Sequence, residues 1–491
     1  MMIGCRKESD NVLSYAFNDS MAFSKAERSF VGKFDIIWHG LNTNYALWDF
    51  EKENGVDWDA IYDEFRPRFA ELDEKGESVT DDEVEGLLED FLAPLHDGHL
   101  EVYLTNHITG KTVDVCPGES RVKSERKKEF EVAEKFVPSL LYYRTQGDLL
   151  EYRASYNALA NAITLSLEYV KNKLETLTDP SDIEIYTSLD KELRNAVKEA
   201  EQGDVDRCLE LYNEAALRYE YLNLPDLDYI DPKLIEYPVQ MQYALFKGNV
   251  AYLSVNSFNL SPYLYQEFRE QTFVNPSAHT TRVINQVINT WQAWFDAIQN
   301  LHEAGELGGV IIDMRSNKGG LVSDYQFLVG ALLPSGGFHV TDARFKRGSG
   351  RYDYSPIMPQ YVPTMETEHA MITEPVVVLC NCSTISMGEQ TTLGVKRMEN
   401  GKVIGTRTWG GLCALNSNET YSQNYSGHVG IKGTTPVYCY VPRELAITLD
   451  DQVLEGYGVT PDIELPFDVA AWNNGAGPDN QLDRALQEIK K

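Results

Sequence analysis

The chain has 491 residues, of which 43% are hydrophobic and 11% aromatic, and its formal net charge is −31. That length calls for two or three domains, and the hydrophobic share is that of a globular chain. So acidic a balance argues against a nucleic-acid partner, whose phosphates are met by Lys and Arg, and against a bare anionic membrane surface. No run of about 18 apolar residues occurs that would cross a membrane as a helix.

Residues 1–24 read as a polar leader. Within it, "MIGC" followed by a charged run resembles the end of a bacterial lipoprotein signal, in which the cysteine is acylated. With a start further upstream, Cys5 becomes a lipid tether and the chain an envelope protein, periplasmic or on the outer membrane; a cytoplasmic chain with an ordinary surface cysteine is the other reading. The remaining six cysteines are scattered and form no CxxC pair, so neither a disulfide framework nor a zinc site is expected.

From 25 to 110 the pattern is that of a helical domain. Phe30, Phe34, Ile37 and Leu41 recur at helical spacing, Asp57 stands as an N-cap, and Thr80 precedes Glu83 in capping-box register. After Asp97-Gly98 the period changes, and Leu100, Val102 and Leu104 alternate as in a strand that begins near His99. Residues 111–239 read as a mainly helical insertion, rich in Glu, Lys, Leu and Ala. From 240 to 491 strands alternate with helices, which predicts a mainly parallel sheet covered on both faces.

Four short segments carry groups for chemistry. "NCSTISMGE" lies between a buried strand and a helix, so Ser386 stands at a helix N-terminus, where free N–H groups face a developing oxyanion. Ser386-x-x-Glu389 is equally a capping box. "DMRSNKGG" ends a strand in Gly319-Gly320, which suits a tight turn or an oxyanion hole. His99, in "HDGHL", is a candidate base for a serine, and a metal held by His96 and His99 lacks further clustered ligands. Glu455, in "LEGYGVTPD", could orient an imidazole or be a plain loop acid.

Taken in order, "DGH", "DMRSNKGG", "STISMGE", "GTRTWGG" and "EGYGVTPD" resemble the motifs of the S41 peptidases, the C-terminal (tail-specific) processing proteases and tricorn core protease among them. The resemblance implies an α/β core of the crotonase/ClpP-like class, with the N-terminal helical domain and α-helical insertion beside it; no PDZ-like segment is found where processing proteases carry one, and the helical block at 125–220 occupies that interval. By matching position it makes Ser386 the nucleophile and gives the oxyanion hole to Gly319, with Gly320 beside it, and to the N–H of Met387. The branch that uses a Ser–Lys dyad has a lysine where Gly411 stands here, so the tricorn-like branch is implied, with His99 as base and Glu455 supporting it. One departure is Gly98, which stands where tricorn has a serine linking the glutamate to the imidazole. The function so implied is a serine endopeptidase acting on peptides or proteins, with no cofactor and no metal. A non-catalytic binding protein on the same scaffold and a serine esterase are the alternatives, and the helical insertion is a candidate lid.

Overall fold

The computed structural model describes residues 24–155, 158–202, 204–224, 227–333, 337–348, 350–363, 365, 367–413 and 428–491. The leader and Cys5 lie outside the described residues.

The N-terminal helices form as their caps and periods require. Helix α1 (Phe30–Asn44) starts at Ser29, whose Oγ accepts the Gly32 N–H at 3.0 Å. Phe30, Phe34, Ile37 and Leu41 are fully buried along one stripe. Helix α2 (Trp58–Lys75) is capped by Asp57, and α3 (Asp81–Leu92) by the Thr80–Glu83 capping box. Strands β1 (Glu101–Thr105) and β2 (Thr112–Val115) follow as an antiparallel pair. His99 therefore sits in the turn two residues before β1.

Next come two short helices, α4 (Pro117–Glu125) and α5 (Lys127–Ala133), and then strand β3 (Leu149–Ser155). Helices α6 (Ala158–Leu174), α7 (Pro180–Glu201) and α8 (Val205–Arg218) make the helical block. Strands β4 (Met241–Phe246) and β5 (Val250–Val255) lead to the long helix α9 (Ala278–Glu303) and β6 (Gly309–Asp313). Then follow β7 (Phe338–Phe345), β8 (Met358–Val362), β9 (Val376–Cys380), helix α10 (Met387–Arg397) and β10 (Gly401–Gly405). The chain closes with β11 (His428–Val429), β12 (Val437–Tyr440), β13 (Glu444–Thr448), β14 (Ile463–Glu464) and helix α11 (Asn480–Ile489).

The main sheet has the order β14-β10-β9-β6-β5-β4-β3. From β14 to β5 it is parallel, and β4 and β3 are added antiparallel at one edge. Every residue of β5, β6 and β9 is buried, because helices cover both faces. Val310, Ile312, Val376 and Val378 face the side that carries α9, through Val287, Trp294 and Ile298. Ile311, Val377 and Leu379 face α11, through Leu482, Ala485 and Ile489.

The segments expected from sequence interlock more than their boundaries suggest. Strand β2, inside 111–239, pairs with β1, and β3 joins the main sheet. Strands β11 and β12, inside 240–491, return to β1 in the sheet β11-β12-β1-β2 and share the core of the N-terminal helices. A period-2 pattern identifies a strand but not its partner, so these crossings had no local signal. Helices α6–α8 pack onto the main core through Leu189, Leu193 and Tyr212. No PDZ domain is present among the described residues.

Candidate active site

The parallel strands β6 and β9 end side by side, and the turns that leave them build the site. The chain runs from Cys380 through residues 381–386 into α10. Thr384 pins this turn, with its Oγ1 donating to the Met314 carbonyl at 2.8 Å and accepting from Asn381 N–H at 3.0 Å. Ser386 emerges with φ 57° and ψ −120°, a conformation that L residues rarely adopt. No side-chain cap bond of the usual kind forms there; the pairing with Glu389 is of the capping-box type, in which Ser386 N–H donates to Glu389 Oε2 at 3.2 Å.

Gly319 lies against this serine. A Cβ on Gly319 would fall 2.6 Å from Ser386 Cβ and 3.1 Å from both Ser386 Oγ and Met387 N. Its own N–H donates to Asn317 Oδ1 at 2.8 Å. The N–H that the resemblance gives to an oxyanion hole is thus held by the Asn317 side chain in this arrangement. The N–H groups of Gly320 and Met387 have no acceptor among the described residues. Both residues line the cavity that Ser386 faces.

That cavity has a volume of about 890 Å³. His99 forms part of its wall together with Gly98, Trp409 and Leu412. Gly411 spaces the base from the serine: its carbonyl accepts Ser386 N–H at 3.0 Å, and a Cβ on it would lie 3.2 Å from His99 Cε1. Among the described residues no hydrogen bond joins Ser386 Oγ to the imidazole, whose Nδ1 is enclosed without a partner. The His99 backbone N–H donates to Asp97 Oδ1 at 2.7 Å, which fixes the turn that carries the ring. Burial holds the imidazole below its ordinary pKa, while the charges of Glu455 and Glu101 act against that. A ring kept neutral is able to accept a proton.

Glu455 is buried behind His99. Its Oε1 accepts Gly98 N–H at 2.9 Å, and its Oε2 accepts the N–H groups of Leu412 and Cys413 at 2.8 and 2.9 Å. The glutamate thus ties the backbone just before His99 to that of Leu412 and Cys413. Gly98 has a steric reason: a Cβ there would meet Gly410 O at 2.9 Å, Trp409 Nε1 at 3.0 Å and Gly411 Cα at 3.1 Å. A serine at this place has no room.

Asp97, His99 and Glu455 each bring a ligand-type atom within 4.8 Å of the others. Asp97 Oδ2 and His99 Nδ1 are enclosed without partners among the described residues, whereas both Glu455 oxygens already take N–H donors. Burial, and then the charge of Glu455, pushes the Asp97 carboxyl well up. Asp97 and Glu389 were not singled out as site residues from sequence. Glu389 is wholly buried and also accepts from Thr408 Oγ1 at 2.5 Å and from the N–H groups of Gly410 and Gly411 at 2.8 and 2.7 Å. It ties the serine turn to the "GTRTWGG" segment. The glutamate in S-x-x-E was its signal, but that motif is equally satisfied by an ordinary cap.

None of the residues lining the cavity comes from α6–α8. The wall on that side of the chain order comes from α4 and α5, through Glu119, Lys123 and Phe130. Of the block at 125–220 considered as a lid, Phe130 and Glu134 line the cavity.

A parallel α/β sheet thus brings together a serine at a strained strand-to-helix turn, an imidazole in the same cavity and a carboxylate behind it, the groups that serine-nucleophile chemistry uses. Residues 249–465 match the model of peptidase family S41. The chain is similar to tricorn protease homolog 1 of Streptomyces coelicolor, at 29% identity over 178 residues, 36% of this chain and 14% of that protein. It is also similar to tricorn protease of Thermoplasma acidophilum, at 26% identity over 181 residues, 37% of this chain and 14% of that protein. The chain thus spans about one seventh of the length of these two relatives. Among solved structures it aligns with mature CPAF at a TM-score of 0.46 and 12% identity, covering 95% of this chain and 97% of that one.

Proposed function

We propose that the chain is a serine endopeptidase that hydrolyses peptide bonds through an acyl-enzyme on Ser386. The observation that carries this reading is the strained backbone of Ser386 at the start of α10, in the wall of a cavity that His99 shares. In this reading His99 takes the Ser386 proton as Oγ attacks the substrate carbonyl, and then gives it to the leaving amine. The oxyanion is held by the N–H groups of Gly320 and Met387, and the role of Gly319 is to leave room for the serine. Water, deprotonated by His99, releases the acyl group. Glu455 positions His99 through the Gly98 backbone, and its charge favours the imidazolium that forms.

Support for peptide rather than ester substrates comes from the S41 match. An envelope location through a lipidated Cys5 is a separate part of the proposal and rests on the "MIGC" pattern alone. The testing experiment is labelling with a fluorophosphonate probe. Label on Ser386 that falls sharply in His99→Ala is the expected result. Folded protein that takes no label would overturn the mechanism.

A further inference from the structure

The sheet β13-β7-β8 forms one wall of the active-site cavity. Its register decides which side chains face inward. Thr341 pairs with Thr448 on β13 and with Gln360 on β8, and Glu444 pairs with Phe345 on the same strand as Thr341. Residues two or four apart on a strand share a face. Thr341, Gln360 and Glu444 accordingly line the cavity, while Ala343 and Ala446 close the sheet between them.

The half-buried side chain of Glu444 has no ion pair and no hydrogen bond among the described residues. Its neighbour Arg443 is instead placed against the Phe345 ring, at 5.7 Å. Burial pushes the Glu444 carboxyl up to about 7, with Arg443 acting weakly the other way. A carboxylate half withdrawn from water and without a partner is open to a cation that enters the cavity. A second carboxylate, Glu101, lines the same cavity from β1, opposite Tyr440, with one oxygen taken by the Tyr103 hydroxyl at 2.6 Å. Of the two ammonium groups in the lining, Lys123 is paired with Glu119 at 2.5 Å.

We propose that Glu444 is a specificity residue that receives a cationic group of the substrate, the side chain of a Lys or Arg near the scissile bond. It deepens the serine-peptidase reading, since it takes the same cavity as the substrate cleft. A charge-assisted bond formed in this half-dry wall is stronger than one in open water, and it satisfies the carboxylate that the free protein leaves unpaired. A substrate N-terminal ammonium carries the same chemistry, so the test separates the two sources.

Binding is measured on Ser386→Ala, which needs no turnover, by fluorescence anisotropy at pH 8. The probes are C-amidated hexapeptides, N-acetylated or free, in which one position is varied among Lys, norleucine and Glu. Expected is at least about tenfold tighter binding of Lys over norleucine at one position, lost in Ser386→Ala/Glu444→Gln and turned toward Glu in Ser386→Ala/Glu444→Lys. Lowering the pH to 5.5 without further substitution should shrink the same preference, because Glu444 then protonates while the peptide Lys stays charged. A Glu444-dependent gain confined to free N-termini supports the site and assigns the ammonium as its ligand. Equal binding of all these peptides, or a Lys preference that survives Glu444→Gln, would overturn the inference. Loss of fluorophosphonate labelling in wild type bears on the mechanism alone and leaves this binding result standing.

Discussion

Gly319→Ala tests how closely the serine turn is fitted. Two costs arise, and the structure separates them. Gly319 has φ 74°, where an L residue loses roughly 1–2 kcal/mol. Its new Cβ would also stand 2.6 Å from Ser386 Cβ, against an ordinary carbon contact of about 3.5–4.0 Å. Relief requires a shift of about 1 Å, and overpacking of this kind costs about 1–3 kcal/mol. A displacement of about 1 Å at a reacting centre lowers turnover on the order of 10²-fold. Gly147 supplies the control: its φ is 71°, and nothing lies within 4 Å of a Cβ built on it. Gly147→Ala should therefore lower the melting temperature through backbone strain alone and label with fluorophosphonate at the wild-type rate. Gly319→Ala should melt lower still and label about 10²-fold more slowly. Labelling of Gly319→Ala at the wild-type rate would refute the fit described between Gly319 and Ser386.

Ser386→Ala should abolish labelling, and His99→Ala should slow it by about 10³-fold or more, with both proteins keeping a wild-type circular dichroism spectrum. The pH profile of kcat/KM should hold on the acid side to below 6.5, because burial holds His99 below its ordinary value and the base works neutral. Since the Glu455 charge raises the His99 pKa, Glu455→Gln should move the acid limb further down, and an upward move would contradict its role. Arg315→Leu should destabilise by about 3–5 kcal/mol, read as a lowered denaturation midpoint. The buried guanidinium pairs with Asp313 at 2.5 Å and Asp479 at 2.8 Å, and its loss leaves both carboxylates uncompensated.

The parts of this molecule written in local pattern were legible. Phe30 to Leu41 repeat at helical spacing, and Val376 to Cys380 form an unbroken apolar run before a hydroxyl-rich turn; each becomes the element its pattern describes. Pairing over long distances was not legible. Nothing in "HVGIKGTTPVYCYV" says that Val437 and Cys439 lie beside Leu104 and Val102, more than three hundred residues earlier. The same limit applies at the site. Gly319-Gly320 announces a backbone that approaches something closely, yet which N–H is free depends on Asn317, two residues away, turning its amide oxygen back onto Gly319. Gly98 looks like the loss of a functional serine, and only the packing against Gly410 and Trp409 shows why no side chain fits.

Three helix-initiating serines show what is unusual about the one at residue 386. Ser29 and Ser277 have extended backbones, φ −144° and −63°, and each spends its hydroxyl on a helix N–H, at 3.0 and 3.1 Å. Those are ordinary caps, worth about 1 kcal/mol each to their helices. Ser386 instead has φ 57°, which costs rather than contributes. The cost is met by the surroundings. Glu389 accepts the Ser386 N–H and fixes Gly410 and Gly411, and the Gly411 carbonyl accepts the Ser386 N–H as well. A serine needed only to start α10 would sit in the relaxed conformation of the other two. A network of hydrogen bonds holds Ser386 instead in a strained one in the wall of the cavity, and this strain is what the proposed nucleophile has and the other two serines lack.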